Sequence, residues 1–436
     1  MKQTSDIVAC VIDHGLFLPI GLKLAEQYKH VYWWSPWDDV APKLEKGIVG
    51  DGFENMTRVP DIWDIKRKCD LFIFPDVGFS GLQRELVSQG YPVWGHHGAD
   101  ELETDRGLFL ETLEELGMPA PKYEVIMGIT NLRLHLKEEA DKYIKVSKWR
   151  GDWETLHWRD WSHDESVLDG YAYRFGPAKE LIKFYVFDSI PTDIEDGIDT
   201  YCIDGQWPET VMHGMECKDR SYLCSVQPMS DIDERVKVVN EKFGPVLASY
   251  GYRGFFSSEV RIKDDESFFI DPTCRAASPP SQVMTELFAN LGEIIWHGAN
   301  GELVDPETST IVDSHEPAQF GVQALIKSER DCDEWEVMDI PDEMRKWVKC
   351  GFACEIKGKL CIPPHPLGGM IGWLVAIGST MSEAIDNLKK YQGELPDGLH
   401  CDVDSLANLL KEAETAKEEG IEFTEQQLPE PAEVIS

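Results

Sequence analysis

Short apolar runs alternate with amphipathic stretches through the first hundred residues, and this alternation constrains the fold more than any other feature. The apolar runs span residues 7–12, 31–34 and 71–74, and the stretches with helical spacing span 18–28 and 82–88. Short buried strands separated by helices predict a parallel sheet. The ligand crevice of such a sheet lies at the carboxyl ends of its strands, where Asp13–Gly15 and Asp76–Gly81 follow two of the runs. Neither segment matches a dinucleotide-binding fingerprint, so simple turns are the alternative.

The length and charge of the chain exclude several classes of protein. With 436 residues it has room for two or three domains. Its 42 basic and 79 acidic side chains give a formal charge of -37, which repels nucleic-acid phosphates and anionic lipid. We therefore expect no general nucleic-acid binding and no membrane association.

The cysteines and the first residues indicate the compartment. The 11 cysteines, an odd number without CxxC pairs, suit free thiols better than a disulfide framework. The sequence has no window of about 18 uncharged apolar residues, and its first residues lack the apolar core of a signal peptide. These features predict a cytoplasmic protein.

The rest of the chain predicts two further units and an acidic end. A helix is expected within residues 99–123, strands at 143–146, 184–187 and within 199–228, and a helix at 231–250. A smaller unit follows from about residue 320 to 400, and its clearest helix, 381–391, comes after Thr380, with Glu383 at the spacing of a capping box. Residues 412–436 carry many acids and few aromatics, which predicts a solvated helix and a disordered tail.

A predicted hairpin holds the most informative pair of residues. Its arms are residues 255–262 and 267–270, and a three-residue loop at 264–266 would set Glu259 opposite Asp271. A loop with an even number of residues would place the two carboxylates on opposite faces. Adjacent carboxylates repel each other unless a divalent cation or an arginine neutralises them, and Mg²⁺ prefers carboxylate oxygens together with ligand phosphates. An exposed hairpin with two solvated acids is the alternative.

Residues on either side of this pair could face an anion. Thr273 and Arg275 follow Asp271, and this order can present a weaker metal ligand and a fixed cation. Upstream, Lys145 lies inside an apolar strand, and Lys148 begins a loop that could cover a phosphate. A plain basic strand edge is the alternative for the lysines.

Five short motifs occur in order along the chain. They are ADELETDR at 99–106 with GMP at 117–119, YIKVS at 143–147, EDGID at 195–199, DPTCR at 271–275 after Glu259, and AIGSTMSEA at 376–384. In this order and spacing they resemble the motifs of the ATP-grasp ligases, notably the phosphoribosylamine-glycine ligases. The resemblance spans about residues 7–391, and the chain looks like a divergent branch of that family.

The resemblance implies a multidomain protein of the α/β and α+β classes. It implies a Rossmann-like N-terminal domain over residues 1–98, an ATP-grasp domain over 99–320 with a lid at about 122–188, and a small C-terminal α/β domain over 321–400, followed by the acidic helix and tail of 401–436. It also implies ATP and Mg²⁺ (or Mn²⁺), a small-molecule carboxylate and an amine as substrates, and an amide formed through an acyl phosphate. The protein is expected to be a monomer or a homodimer.

The same resemblance assigns roles to individual residues. Those expected to contact the nucleotide are Arg106, Lys145, Lys148, Asp188 and Glu195. Those expected to hold the metal ion are Glu259, Asp271 and Thr273. Those expected to act as catalytic residues near the phosphoryl group are Arg275, Lys218 and Arg220.

The sequence departs from the family at several of these positions. Arg106 stands in place of a lysine, Asp271 in place of a glutamate, and Thr273 in place of an asparagine, which is the better metal ligand. The family's glycine-rich phosphate loop is replaced by Lys-Trp-Arg-Gly at 148–151. Two other hypotheses therefore stay open: an ATP-grasp phosphotransferase without an amine acceptor, and an inactive nucleotide-binding scaffold.

Three other groups of residues are candidates for chemistry. They are the set Cys350, Cys354, Cys361 and His365, the pair His96 and His97, and the tryptophans at 33, 34 and 37. The cysteine set has zinc-like spacing but also suits core strands. The histidine pair precedes a glycine, which favours a turn over catalysis. The tryptophans could stack on a base, although an aromatic core is the simpler interpretation.

Overall fold

The computed structural model describes most of the chain. The described residues are 2–35, 48–147, 155–192, 194–218, 220–263, 266–312, 314–329, 334–364, 370–418 and 420–421. Several predictions lie outside them: the loop that begins at Lys148, the hairpin loop at 264–265, His365, Trp37 and the tail beyond residue 421. Within the described ranges, no helix is both long enough and apolar enough to cross a membrane.

The N-terminal residues form a five-stranded parallel sheet, as the alternating pattern predicts. Its strands are β1 (Val8–Ile12), β2 (His30–Trp34), β3 (Met56–Arg58), β4 (Leu71–Ile73) and β5 (Val93–Trp94), in the spatial order β3-β2-β1-β4-β5, with helices α1 (Leu18–Gln27) and α2 (Ser80–Ser88). The carboxyl ends of β1 and β4 meet at one edge. Burial and the neighbouring Asp76, which follows β4, raise the pKa of Asp13, which follows β1, to about 7.

The helix predicted within residues 99–123 is present, but it is divided in two at Asp105. Its parts are α3 (Glu101–Thr104) and α4 (Arg106–Glu115). Asp105 between them has an extended backbone, and its side chain accepts hydrogen bonds from the backbone N–H groups of Gly107 and Leu108, at 3.1 and 3.4 Å. This N-cap places Arg106 at the first position of α4, at the edge of the site described below.

Residues 123–188 form an antiparallel sheet packed against two helices. Its strands are β6 (Tyr123–Met127), β7 (Lys142–Val146), β8 (Thr155–Trp158) and β9 (Lys183–Asp188), in the order β6-β9-β7-β8, with helices α5 (Ile129–Leu136) and α6 (Trp161–Phe175). Ile144, Trp158 and Phe184 are fully buried between the sheet and the helices. We name these four strands the lid sheet, because they occupy the range expected for a lid.

The remaining strands form one large sheet and one small one. They are β10 (Glu195–Ile203), β11 (Thr210–Cys217), β12 (Ser221–Pro228), β13 (Arg253–Lys263), β14 (Glu266–Thr273), β15 (Phe320–Ser328), β16 (Glu336–Met338), β17 (Val348–Cys350), β18 (Cys354–Ile356), β19 (Lys359–Ile362), β20 (Met370–Gly378) and β21 (Leu399–Cys401). The large sheet runs β14-β13-β10-β11-β12-β15-β20-β17, with β21 beside β15, and the small sheet runs β16-β19-β18. Because β15 pairs with β12, the strands from residue 320 onward continue the large sheet that begins with β10–β14. The domain boundaries stay a prediction.

The helices of this half are α7 (Glu234–Tyr250), α8 (Ser281–Leu287), α9 (Leu291–Ala299), α10 (Asp342–Arg345), α11 (Met381–Gln392) and α12 (Leu406–Glu418). The predicted cap of α11 is confirmed, since the Thr380 hydroxyl accepts a hydrogen bond from the Glu383 N–H at 3.1 Å. Helix α12 begins at residue 406 and buries Leu406, Leu409 and Ala416 against β11 and β12. Residues 412–418 are helical and mostly exposed, as predicted, but the helix begins six residues earlier and its first turns pack against the fold.

Candidate active site

Two carboxylates lie side by side on the hairpin formed by β13 and β14. Glu259 pairs with Asp271 across the strands, which confirms the predicted pairing. The predicted three-residue loop is wrong, because Lys263 pairs with Glu266 and two residues join the arms. A β-bulge between Glu259 and Val260 shifts the register by one residue and so returns the two carboxylates to one face.

Asp271 forms ion pairs with two buried cations. Its Oδ1 accepts a hydrogen bond from Nη2 of Arg106, and its Oδ2 accepts one from Nζ of Lys145. Arg106 also donates from Nη1 to the carbonyl oxygen of Ile270 at 2.9 Å. Although burial alone would raise it, the two cations hold the pKa of Asp271 well below its usual range. Helix α4, strand β7 of the lid sheet and strand β14 therefore meet at one carboxylate.

Glu259 has the opposite electrostatic environment. Burial and the neighbouring carboxylates of Glu195 and Asp271 raise the pKa of Glu259 to about 8, although Lys145 opposes the shift. A carboxyl group held among like charges is stabilised in its ionised form by a nearby cation. Lys145 itself has a lowered pKa, because burial and the charge of Arg106 outweigh its attraction to Asp271.

The donor set of this hairpin fits a magnesium ion that is also bound by a ligand. Glu259 and Asp271 offer carboxylate oxygens, and Thr273 follows on the same strand with a hydroxyl oxygen. Within the described parts of the chain, no three His, Cys, Asp or Glu side chains are grouped to hold a metal ion by themselves. Mg²⁺ is commonly bound by one or two carboxylates together with substrate phosphates, which agrees with this incomplete set.

A cavity of about 380 Å³, which we name the lid cavity, separates the lid sheet from the large sheet. The predicted residues that line it are Arg106, Lys145, Asp188, Glu195, Lys218, Glu259 and Asp271. One wall is apolar and includes Leu110, Phe187 and Phe269. An apolar wall next to a few converging charges is typical of a ligand site for a flat ring that carries an anionic group.

A second cavity, of about 630 Å³, adjoins the first and is bounded by helix α12, so we name it the α12 cavity. Glu195, Glu216, Glu259 and Arg261 line both cavities. The predicted residue Thr273 lines the α12 cavity. Glu259 therefore lies at the junction between the two spaces, whereas Asp271 lines only the lid cavity.

Arg275 and Arg220 line neither cavity. Nε of Arg275 lies 3.0 Å from Oε1 of Glu103 and 3.7 Å from Oδ1 of Asp76, so this arginine joins the first sheet to the central part of the protein. Nε of Arg220 lies 2.6 Å from Oδ2 of Asp402, just before α12. The structure does not bring these two arginines together with the other predicted residues, and their catalytic roles stay predictions.

Several cavity residues have no role assigned in the sequence analysis, although one of them, Asp199, ends the motif at 195–199. Arg261 donates from Nη2 to Oε2 of Glu195 at 2.6 Å, and Glu216 and Asp199 line the α12 cavity. Strand alternation could have found them, because residues two apart on a strand share a face. By that rule Arg261 accompanies Glu259, and Asp199 belongs to the face of Glu195.

The other candidates have structural roles in the described residues. Cys350, Cys354 and Cys361 are buried, and none of the described cysteines forms a disulfide. His96 is 1% exposed and is held by Gln83 and by the carbonyl oxygen of Gly78, at 2.7 and 2.6 Å. The tryptophan at 33 is fully buried in the core beside the first sheet.

Comparison with known proteins relates the chain to several ligases and carboxylases. No family model matches it. A region of 207 residues, 45% of this chain, is 26% identical to the carbamoyl phosphate synthase large chain of Mycobacterium bovis, but covers only 18% of that protein. The crystal structure of phosphoribosylamine-glycine ligase from Thermotoga maritima matches with a TM-score of 0.66 and 16% identity over 91% of this chain and 99% of that one. Biotin carboxylase from Campylobacter jejuni, solved as a β-γ-ATP complex, matches with a TM-score of 0.60 and 13% identity over 92% of this chain and 94% of that one. These likenesses establish a shared fold over most of the chain.

Proposed function

We propose that this chain, which has the ATP-grasp fold, is an ATP-dependent ligase that joins a small carboxylic acid to an amine. The observation that carries the proposal is the meeting of Arg106, Lys145, Glu259 and Asp271, two cations and two carboxylates from four separate elements, beside the lid cavity. Phosphoryl transfer needs fixed cations around phosphate charge and carboxylates for a divalent metal. It needs no covalent nucleophile.

The lid cavity is the proposed nucleotide site. Its apolar wall of Leu110, Phe187 and Phe269 suits the adenine ring, and Arg106 and Lys145 lie where they can bind phosphate oxygens. Both cations are buried, with 7% of each residue exposed, so their attraction for phosphate is weakly screened by water. Asp188 and Glu195 line the same space and would meet the nucleotide at its polar edge.

Glu259, Asp271 and Thr273 would hold Mg²⁺ (or Mn²⁺). When bound, the ion would neutralise charge on the transferring phosphoryl group. The residues of this chain then have defined tasks. Arg106 and Lys145 fix the Asp271 carboxylate in place. Burial and nearby carboxylates raise the pKa of Glu259, and a bound metal ion would favour loss of its proton.

The proposed reaction has two steps, and each balances. A carboxylate oxygen of the acid attacks the γ-phosphorus of ATP, ADP leaves, and an acyl phosphate forms. The ammonium form of the second substrate first loses a proton to solvent. The lone pair of its nitrogen then attacks the acyl carbon, inorganic phosphate leaves with the C–O bond electrons, and the nitrogen loses a second proton as the amide forms. ATP is needed because oxide is a poor leaving group from a carboxylate, whereas phosphate is a good one.

A coupled ADP-release assay tests the proposal. The full chain is incubated with Mg·ATP and a matrix of small carboxylic acids and amines, and product masses are read afterwards. We expect ADP release that requires one acid and one amine together, with a product mass equal to the acid plus the amine minus water. Glycine and phosphoribosylamine form the first pair to test, by analogy with the structural neighbour. ADP release with the acid alone and a stable phosphorylated product would instead indicate a phosphotransferase. ATP binding without ADP release in any mixture would indicate an inactive scaffold.

A further inference from the structure

A buried carboxylate in the α12 cavity has neutral hydrogen-bond partners. Asp199 is 8% exposed, and its Oδ2 accepts a hydrogen bond from the hydroxyl of Tyr222, while Ser257 supplies a second donor. Among the described residues, no lysine or arginine forms an ion pair with Asp199. Burial raises the pKa of Asp199 to about 6, so the group is mainly ionised at neutral pH. The charge of His213 opposes this rise in pKa, but His213 is bound to Asp196 at 2.7 Å, so among the described residues Asp199 has no ion-pair partner of its own. A buried negative charge of this kind is energetically unfavourable, and a cationic ligand would compensate it.

The strands around Asp199 are built to hold this carboxylate in one position. Gly214 lies beneath the Tyr222 ring, and a Cβ added at Gly214 would collide with the phenol. The missing side chain therefore lets the ring cross the strand and reach Asp199. By contrast, Asp196, which also lines the cavity, is bound to a histidine: its Oδ1 lies 2.7 Å from Nε2 of His213.

Carboxyl groups outnumber basic groups in the lining of the α12 cavity. Among the described residues that line it, six bear a carboxyl group and two, Arg261 and Lys411, bear a basic group. Arg261 is already paired with Glu195 at 2.6 Å. Such a lining attracts an ammonium group and repels a phosphate group. It differs from the lid cavity, where Arg106 and Lys145 supply buried positive charge.

We propose that the α12 cavity is the binding site for the amine substrate, that Asp199 is the counter-ion of its ammonium group, and that this substrate carries no phosphate. The inference rests on the proposed ligase function, because it assigns the second substrate of that reaction. Its position is suitable, since Glu259 lines both cavities and places an amine in the α12 cavity next to the proposed phosphoryl-transfer centre. The inference also predicts that phosphoribosylamine is not the substrate.

A matched pair of small probes tests this charge selectivity. The full chain, saturated with Mg²⁺ and a non-hydrolysable ATP analogue, is titrated with ethanolamine and separately with O-phosphoethanolamine at equal ionic strength. The two probes carry the same ammonium group and differ by one phosphate. We expect ethanolamine to bind and to raise the melting temperature, and O-phosphoethanolamine to bind about tenfold more weakly or not at all, because a like charge enters an acidic cavity.

Three variants complete the test. Asp199→Asn removes the counter-ion and is expected to weaken ethanolamine binding by about tenfold or more, as for loss of a charge-assisted hydrogen bond. Tyr222→Phe keeps the carboxylate but loses its positioning bond, and is expected to weaken binding less; it also keeps the test informative if Asp199→Asn does not fold. Asp386→Asn, on the exposed face of α11, makes the same charge change away from the cavity and should leave binding unchanged.

The outcomes separate this inference from the proposed function. Equal binding of both probes, no ethanolamine binding by the nucleotide-saturated protein, or unchanged ethanolamine binding by folded Asp199→Asn protein would overturn the amine-site assignment. Failure of the ATP analogue to bind the wild-type protein would instead count against the proposed function itself.

Discussion

Asp271 and Glu259 are neighbours on one hairpin, yet their carboxyl groups have opposite electrostatic environments. Arg106 and Lys145 stabilise the ionised form of Asp271, whereas burial and nearby carboxylates disfavour the ionised form of Glu259. Before any ligand binds, the ionised form is therefore favoured at Asp271 and disfavoured at Glu259. Asp271 joins the lid sheet to the large sheet through Lys145, and an added cation would stabilise the ionised form of Glu259.

Removing either carboxylate charge should impair catalysis. We expect Glu259→Gln and Asp271→Asn each to lower turnover by about 10²-fold or more, because each removes negative charge from the proposed metal site. The measurement is ADP release with the acid and amine pair that supports the fastest rate. Glu266→Gln, at the exposed end of the same hairpin, is the matched control and should retain the wild-type rate. Near-normal rates in both site variants would refute the assignment.

The raised pKa of Glu259 also predicts a pH dependence of stability. Between its ordinary pKa of 4.5 and about 8, the folded protein holds a proton on Glu259 that the unfolded chain has released. The contribution of Glu259 to the free energy of unfolding therefore falls as pH rises through this window, by at most about 1.4 kcal/mol per pH unit.

Urea denaturation of wild type and Glu259→Gln at several pH values checks this slope. The variant lacks the titrating group, so its stability relative to wild type should increase from pH 4.5 to about 8 and then level off. Curves for the variant and wild type that stay parallel through the window would contradict the shifted pKa. The Glu266→Gln control should run parallel to wild type.

Local features of single strands and helices could be predicted from the sequence, whereas contacts between distant elements could not. The parallel sheet was predictable because strand and helix periods differ, and the cap at Thr380 was predictable because capping is local. The pairing of Glu259 with Asp271 was predicted correctly but from a wrong loop length. Nothing in the local sequence specifies the bulge between Glu259 and Val260, which compensates for the shorter loop. The ion pairs of Asp271 could not be predicted from spacing alone, because they join elements more than 120 residues apart in sequence, as the separation of 126 for Lys145 shows.

The hydrogen-bonded cap of α11 is expected to stabilise the fold. Thr380→Ala removes the acceptor of the Glu383 N–H and should lower the free energy of unfolding by about 1 kcal/mol. Ser382→Ala, an exposed position two residues along, is the control and should have little effect. Urea denaturation of both variants measures the difference. Equal stability of the two variants would mean that packing of α11 against β15 and β20 masks the cap.

The acidic composition of the chain contrasts with the buried positive charge of the lid cavity. The chain carries a formal charge of -37, yet buried cations are gathered at the lid cavity. The negative surface would disfavour approach of free nucleotide, so binding must rely on the local site and on a metal ion that reduces the nucleotide charge. Helix α12, from the acidic end of the chain, closes the more acidic of the two cavities.

The large net charge predicts that salt stabilises the protein. Raising NaCl from about 10 mM to about 150 mM shortens the screening length from about 30 to about 8 Å, which weakens repulsion among surface carboxylates. We expect the melting temperature to rise by a few degrees, and KCl at equal concentration to give the same rise, because screening does not depend on the identity of the cation. A fall in melting temperature would show that surface ion pairs outweigh the repulsion.

Calorimetric titration with a non-hydrolysable ATP analogue tests the central claim most directly. The claim is that Arg106, Lys145, Glu259 and Asp271 form a metal-dependent nucleotide site. The account predicts one site per chain with Mg²⁺ present, much weaker binding when the metal is removed with EDTA or when Glu259 is changed to Gln, and wild-type binding by Glu266→Gln. Equal affinity with and without Mg²⁺, together with equal affinity of the Glu259→Gln variant, would contradict it.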